Sequence, residues 1–288
     1  MALDEYKRKR DFSKSPEPEG TRARKSPAGR TPRFFCVQKH LASHLHYDFR
    51  LEHNGVLLSW AVPKGPSLDP SIKRLAMHVE DHPVEYGEFE GVIPSGYGAG
   101  IVMLWDKGLW TPEVDDIDAA LKKGDLKFTL DGYKLKGSWV LVRTKGGGWS
   151  GGGDRSWLLI KHRDEWAGPV DIAEFAPLSV KSQGDFAEIL SEDNPDVWRS
   201  NRPAKGGETG AMFEKIIARA LEMRSEQSDS SKRSTRSTPS GRSDGEMTVA
   251  RANRATKRTR QPQRQSSTSR TTRARPTPRK RAATRKTR

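Results

Sequence analysis

The chain has 288 residues, of which 33% are hydrophobic and 31% charged, with a formal net charge of +15. Its one cysteine, Cys36, excludes an internal disulfide and a multi-thiolate zinc site, and no apolar run reaches membrane-spanning length. The excess charge is local: residues 225–288 carry 19 Lys plus Arg against 4 Asp plus Glu, so residues 1–224 sum to zero.

Residues 1–30 are polar, basic and Pro-containing, which by composition reads as an arm and not a core element. From Phe34 to about His162, short β runs alternate with turn signals. Residues 44–52 lead into Asn54-Gly55, which predicts a type I′ hairpin returning as 56–62. Further strands are expected at 73–81, 100–106, 125–132 and 133–144, the last two joined by a hairpin turn at Asp131-Gly132, and at 156–162. The glycine-rich stretch 146–154 lacks the Gly-Lys-Ser/Thr of a phosphate-cradling loop and reads as a flexible hairpin connection. Strands at this spacing predict a mainly β fold, an antiparallel barrel or sandwich, with a few short helices.

After Ala167 the pattern turns helical. Asp185 is an N-cap for the FAEIL run, and residues 211–223 set Met212, Phe213, Ile216, Ile217, Ala220 and Leu221 on one face, to pack on the barrel or on a partner. The expected divisions are an arm (1–30), a barrel (31–168), a helical extension (169–224) and an Arg/Lys-rich tail (225–288). The tail has no aromatic residue and almost no large apolar one, so it is expected to be disordered. Such a cation suits nucleic acid, through counterion release without sequence reading. A solubilising or membrane-touching tail is the alternative, but no amphipathic stretch or lipidation signal accompanies it. With no signal-peptide pattern, a cytoplasmic or nucleoid-associated protein is expected.

The densest chemistry lies at 44–53, HLHYDFRLEH. Side chains of an extended strand alternate between faces, so His44, His46, Asp48, Arg50 and Glu52 share one face and Leu45, Tyr47, Phe49 and Leu51 the other. His46 and Asp48, with His40 upstream, suit a divalent ion of intermediate softness such as Mn²⁺, Zn²⁺ or Fe²⁺. The plainer alternative is an ion pair on a solvated strand face. A second polar set recurs at His78, Glu80 and His82, and Lys64, Arg74 and Arg50 add cations. A metal, fixed cations and a free histidine suit a phosphoryl group, the histidine giving a proton to the leaving oxygen.

The remaining candidates read more plainly. Cys36, between Phe35 and Val37, reads as a small buried hydrophobe, and His53 and His162 as surface residues. Residues 93–100, IPSGYGAG, could offer backbone N–H groups to phosphate or simply form a tight loop. Among Trp105, Trp110, Trp139, Trp149, Trp157 and Trp166, core packing is expected to claim the majority over base stacking.

The stretch RFFCVQKHLASHLHYDFRLEHNGVLLSWAVPKGPSLDPSIKRLAMHVEDHPVEYGEFEGVIP, with KLKGSWVLVRT and SWLLIKH, resembles the 3′-phosphoesterase domain of bacterial DNA ligase D. The resemblance covers about residues 5–190 and includes YKRKRDFSKSPEPEG, which makes that segment a family arm. It implies a compact β-barrel and a Mn²⁺-dependent activity that heals DNA or RNA–DNA 3′ ends. A phosphodiesterase step removes a terminal ribonucleoside, and a phosphomonoesterase step then leaves a 3′-OH for a polymerase or ligase.

By that resemblance His40, His46 and Asp48 are metal ligands, His82 the essential histidine near the scissile phosphate, and Arg50 a phosphate contact. Lys64, Arg74, Glu80 and Tyr86 fall on supporting active-site positions, and Arg10, Asp11 and Glu17 on the arm. The loop after Ile93 is one residue shorter than in the family, since Tyr97 directly follows Gly96. No Lys-x-Asp-Gly of a nucleotidyl-transferring ligase is present, so a stand-alone, monomeric module is expected, served by a separate ligase, polymerase or end-binding protein. Two other readings are a non-catalytic DNA-end-binding or nucleoid accessory protein and a metal enzyme acting on small phosphoesters.

Overall fold

A computed structural model describes residues 3–20, 30–144, 153–192 and 208–235. The strands are β1 (Arg33–Leu41), β2 (Leu45–His53), β3 (Val56–Val62), β4 (Arg74–His78), β5 (His82–Pro83), β6 (Gly91–Ile93), β7 (Gly100–Pro112), β8 (Asp125–Gly132), β9 (Lys136–Arg143) and β10 (Ser156–Lys161). They pair in the order β1-β2-β3-β4-β10-β9-β8-β7, and β7 pairs back onto β1. The result is a closed eight-stranded antiparallel barrel, with β6 added to β7 and β5 to β3.

The barrel closes because each strand sends one alternating set of side chains inward. Phe35 and Val37, Tyr47, Phe49 and Leu51, Trp60 and Val62, Phe128, and Trp139 and Leu141 form one buried cluster. Trp105, Trp110 and Trp157 join it, while Trp166 is half exposed beside Lys136. Trp149 lies outside the described residues. The Asn54-Gly55 turn has φ of 49° and 80°, as a type I′ turn requires.

Strand β7 changes phase at a bulge. Val37 faces Asp106 but Gln38 faces Leu104, leaving Trp105 as the extra residue. Ile101, Met103 and Trp105 therefore point inward, and beyond the bulge the inward residue is Trp110. Asp106 faces the same side as Val37, and its carboxylate accepts from Lys134 N (3.0 Å) and Leu135 N (2.9 Å). Burial nevertheless pushes that carboxyl up to about 6.

This anchor moves the expected Asp131-Gly132 turn: Asp131 pairs with Lys136, and the turn spans Gly132–Leu135. Gly132 is needed there, since a Cβ would meet Asp106 Oδ2 and Phe35 Cζ at 2.6 Å. A helix not expected from the strand pattern, α2 (Ile117–Lys123), is capped by Asp116, which accepts from Ala119 N at 2.9 Å, and by Gly124 at φ +82°.

Two segments cover the outer wall of β1–β3. The arm forms α1 (Asp4–Arg8), and a 3-10 turn runs over Val84–Glu88. Tyr6 and Tyr86 pack with Cys36, Leu57 and Leu104 in a second cluster, so part of the arm is a core element after all. Tyr6 is fully buried, and its hydroxyl donates to Pro18 O at 2.6 Å. Cys36 is the buried hydrophobe expected, its thiol pushed up to about 12 by burial.

The C-terminal helices are α3 (Ile172–Phe175), α4 (Phe186–Glu192) and α5 (Glu208–Thr235). Phe186, Ile189, Leu190, Phe213, Ile217 and Ala220 join the main core, so α4 and α5 pack on the barrel. Helix α5 runs eleven residues into the segment read as tail. No Gly or Pro occurs between Met223 and Pro239 to break it. The rest of the tail, and most of the 146–154 loop, lie outside the described residues.

Candidate active site

The polar face of β2 is the outer face of the barrel. Here His40 of β1 stands opposite His46 in the β1–β2 register, and Asp48 is two residues further along β2. One ligand atom from each of His40, His46 and Asp48 lies within 4.8 Å of the others, the geometry of a candidate metal site. Nδ1 of His40 is 3.5 Å and Nε2 of His46 is 3.8 Å from the Asp48 carboxylate.

The outer partners of both rings fix their orientation. His40 Nε2 meets Gly98 O at 2.9 Å, and His46 Nδ1 meets His44 O at 3.0 Å. A carbonyl only accepts, so each of these nitrogens carries a proton, and the opposite nitrogen of each ring is the one turned toward Asp48. His44 thus contributes its carbonyl, and its side chain is exposed in the β1–β2 turn. Two imidazoles and a carboxylate, oriented from behind, fit a divalent transition ion.

Arg50 is 2% exposed and continues the same face. It donates from Nε to Gln38 Oε1 and from Nη1 to Ser59 Oγ, both at 2.8 Å, and pairs through Nη2 with Asp48 at 3.1 Å. Gln38 is held in turn by the Tyr86 and Phe89 carbonyls, each at 2.9 Å. A guanidinium has five N–H groups, so two of Arg50's remain for a ligand. Burial works against the Asp48 carboxylate, but Arg50, His46 and His40 together hold it well below the usual carboxylate range.

The segment after β4 and the arm supply the opposite wall. His82 Nδ1 donates to Glu80 O at 2.8 Å, which leaves the lone pair on Nε2, and Arg10 Nη2 donates to that nitrogen at 3.1 Å. Burial first, then Arg50 and Arg10, push the His82 pKa well below its ordinary value. Its surroundings therefore favour a neutral proton acceptor and not the proton donor expected from the sequence. Arg10 also pairs with Glu17 (2.7 Å) and Glu80 (3.2 Å) and lies 4.0 Å over the Tyr6 ring. Lys9 reaches Glu80 at 3.1 Å. Burial pushes the Tyr86 hydroxyl well up, so it stays a neutral donor.

His40, His46, Asp48, Arg50, Glu80, His82, Tyr86 and Arg10 thus line one cleft of about 260 Å³, with Glu17 behind Arg10. Three of the expected site residues stand elsewhere. Lys64 is exposed in the turn after β3, and Arg74 begins β4 opposite Leu159, whose side chain is in the barrel core. Asp11 is exposed beside Ser13 and Lys14, which hold its carboxyl at about 2. The set at 78, 80 and 82 is not one strand face, because β4 ends at His78. His78 pairs with Trp60 and stacks on that ring at 5.2 Å, and only the chain beyond it reaches the cleft.

His53 is also not a surface residue: it is buried and pairs with Asp118 of α2 at 2.8 Å. Gln38, Ser59 and the Gly98 carbonyl escaped the sequence reading because none is a titratable side chain. The one signal was phase, since Gln38 falls two before His40.

A barrel with a His-His-Asp set and two buried guanidiniums beside it on its outer wall has a candidate metal site next to a candidate anion site. Residues 38–143 match the family model described as the DNA Ligase D 3′-phosphoesterase domain. Those residues belong to that domain family. Over 212 residues, 72% of this chain, it is 49% identical to the multifunctional non-homologous end joining protein LigD of Pseudomonas aeruginosa, of which it covers 24%. It is 47% identical over 148 residues to the non-homologous end joining DNA repair protein LigD of Mycobacterium tuberculosis, covering 51% of this chain and 19% of that protein. Against LigD of Mycolicibacterium smegmatis it is 42% identical over 197 residues, 66% of this chain and 24% of that protein. The chain spans about a quarter or less of the curated relatives it matches.

Proposed function

We propose that this chain is a metal-dependent phosphoesterase that heals nucleic-acid 3′ ends for end joining, removing a terminal ribonucleoside and then the 3′-phosphate to leave a 3′-OH. The observation that carries this reading is the shared cleft: the His40, His46 and Asp48 ligand set faces Arg50, Arg10 and a neutral His82 across about 260 Å³. His40, His46 and Asp48 would hold the ion, for which Mn²⁺ suits the mixed nitrogen and oxygen donors. A bound divalent ion supplies Lewis-acid polarisation of a phosphoryl oxygen and a water of lowered pKa.

The chain's own groups do the rest. Arg50 and Arg10 each keep an unspent N–H for the phosphate oxygens, and their charge stabilises what develops there in the transition state. Tyr86, lining the same cleft as a neutral phenol, can donate to another phosphate oxygen. His82 Nε2 accepts from Arg10 in the structure, and once Arg10 turns to the phosphate that lone pair can accept a proton from the attacking water. Glu80 and Glu17 keep Arg10 in place.

The expected substrates are DNA or RNA–DNA primer-template ends, and the partners a ligase, polymerase or end-binding protein of end joining in the cytoplasm. Among the described residues no helix is long and apolar enough to cross a membrane. The test uses primers ending in a ribonucleotide, a 3′-phosphate or a plain 3′-OH, with and without Mn²⁺. Metal-dependent conversion of the first two supports the reading. No conversion of either at saturating metal overturns it and favours a DNA-end-binding protein.

A further inference from the structure

A second groove, of about 380 Å³, opens beside the cleft and shares Arg10 and Tyr97 with it. One side is the arm, with Arg8, Lys9 and Lys14, the last paired with Asp11 at 3.0 Å, and the other is the loop carrying Gly96 and Tyr97. Apart from the shared Arg10, and Glu17 behind it, no residue given a role above lines it. Its volume falls in the range of small-molecule sites and suits one nucleoside.

Tyr97 is the unusual member. It is a large aromatic left 52% exposed, presented between two glycines of positive φ, Gly96 at 88° and Gly98 at 80°. Lys9 lies over the ring, 4.7 Å from its centroid. An exposed aromatic with a cation against it is an arrangement that holds unpaired bases and their phosphates, the base stacking on the open part of the ring, whatever the base. The loop is also tied to the metal-ligand set, because Gly98 O accepts from His40 Nε2 one residue after Tyr97.

We infer that this groove binds the nucleotide immediately 5′ of the scissile phosphate, with its base unpaired and stacked on Tyr97 and its own phosphate near Lys14 and Arg8. The inference rests on the 3′-end reading and adds to it the position from which the substrate strand enters. Both proposed reactions need such a site, because a 3′-phosphate end has nucleotides on its 5′ side only.

The test is a double-mutant cycle between protein and substrate. Wild type, Tyr97→Ala and Tyr97→Phe are combined with a 3′-phosphate oligonucleotide that carries either a normal or an abasic nucleotide at the 3′ terminus. KM and kcat are measured, with binding of the labelled oligonucleotide followed separately by fluorescence anisotropy. Tyr97→Ala and the abasic position should each weaken binding and raise KM about tenfold, with kcat within twofold. Combining them should add nothing further, and Tyr97→Phe should behave as wild type. If Tyr97→Ala leaves KM and binding unchanged, or if the two losses multiply, the inference is wrong while the 3′-end reading stands. If wild type converts no 3′ end at all, the reading beneath it fails first.

Discussion

Arg10 and His82, 72 positions apart, meet at 3.1 Å, and the guanidinium donates to the one ring nitrogen that bears no proton. The contact ties the arm to the barrel wall and keeps the imidazole neutral. A charged His82 would face Arg10 and Arg50 in a buried site, and that repulsion, after burial itself, is why its pKa is depressed.

This pairing has a consequence for stability. The unfolded His82 titrates near the ordinary 6.5, whereas the folded one resists protonation. Between those values the unfolded state binds more protons, so folding stability falls as the pH drops below about 6.5. His82→Gln removes this contribution. Denaturant midpoints measured at pH 7.5 and 5.5 should fall less in the variant than in wild type, and equal losses would show that His82 is not held neutral.

Arg50 is a buried cation with three protein partners, so removing it strands Asp48 without its closest counter-charge. Arg50→Ala should cost about 3–5 kcal/mol by urea unfolding. Arg50→Lys keeps the charge but not the fork that reaches Gln38 and Ser59 together, so it should recover stability only in part and turnover hardly at all. Full recovery by lysine would mean that charge alone matters.

Metal binding can be read without turnover. An ion held by His40, His46 and Asp48 binds only the folded chain, and at 100 times its Kd it adds about 2.7 kcal/mol. Mn²⁺ should therefore raise the thermal midpoint of wild type and not of His46→Ala or Asp48→Asn. His82→Gln, outside the ligand set, should keep the increment. A metal-independent midpoint in wild type would remove the ion from the site.

How much of this was legible in the sequence depended on how local the cause was. The alternation from His44 to Glu52 placed the site face correctly, because in a barrel wall period two is inside against outside. Asn54-Gly55 fixed the hairpin for the same local reason. The turn after β8 was misplaced because its anchor, Asp106, lies 26 residues before Gly132 and faces it only through the β7 bulge. Arg10 and Glu17 could be matched by resemblance, but nothing in a Lys/Arg-rich arm marks which guanidinium reaches His82. Helix α2 was readable from Asp116 and Gly124, and was hidden by the strands on either side.

The basic tail is testable once its start is drawn from the fold. A cut at 224 would shorten α5, whose Phe213, Ile217 and Ala220 sit in the main core, so loss of binding could reflect a damaged helix. A cut after Thr235 leaves α5 whole and removes 17 of the 19 Lys plus Arg counted from 225 onward, with Asp244 and Glu246. Each phosphate that tail cations neutralise adds about 0.7–0.9 to the slope of log affinity against log salt. If the tail touches several phosphates, the truncated chain should bind an oligonucleotide more weakly at low salt and show a slope shallower by several units. Turnover at saturating substrate should be unchanged, since no residue of the cleft is removed. An unchanged salt slope would assign the tail some other partner and leave DNA affinity to the barrel and its arm.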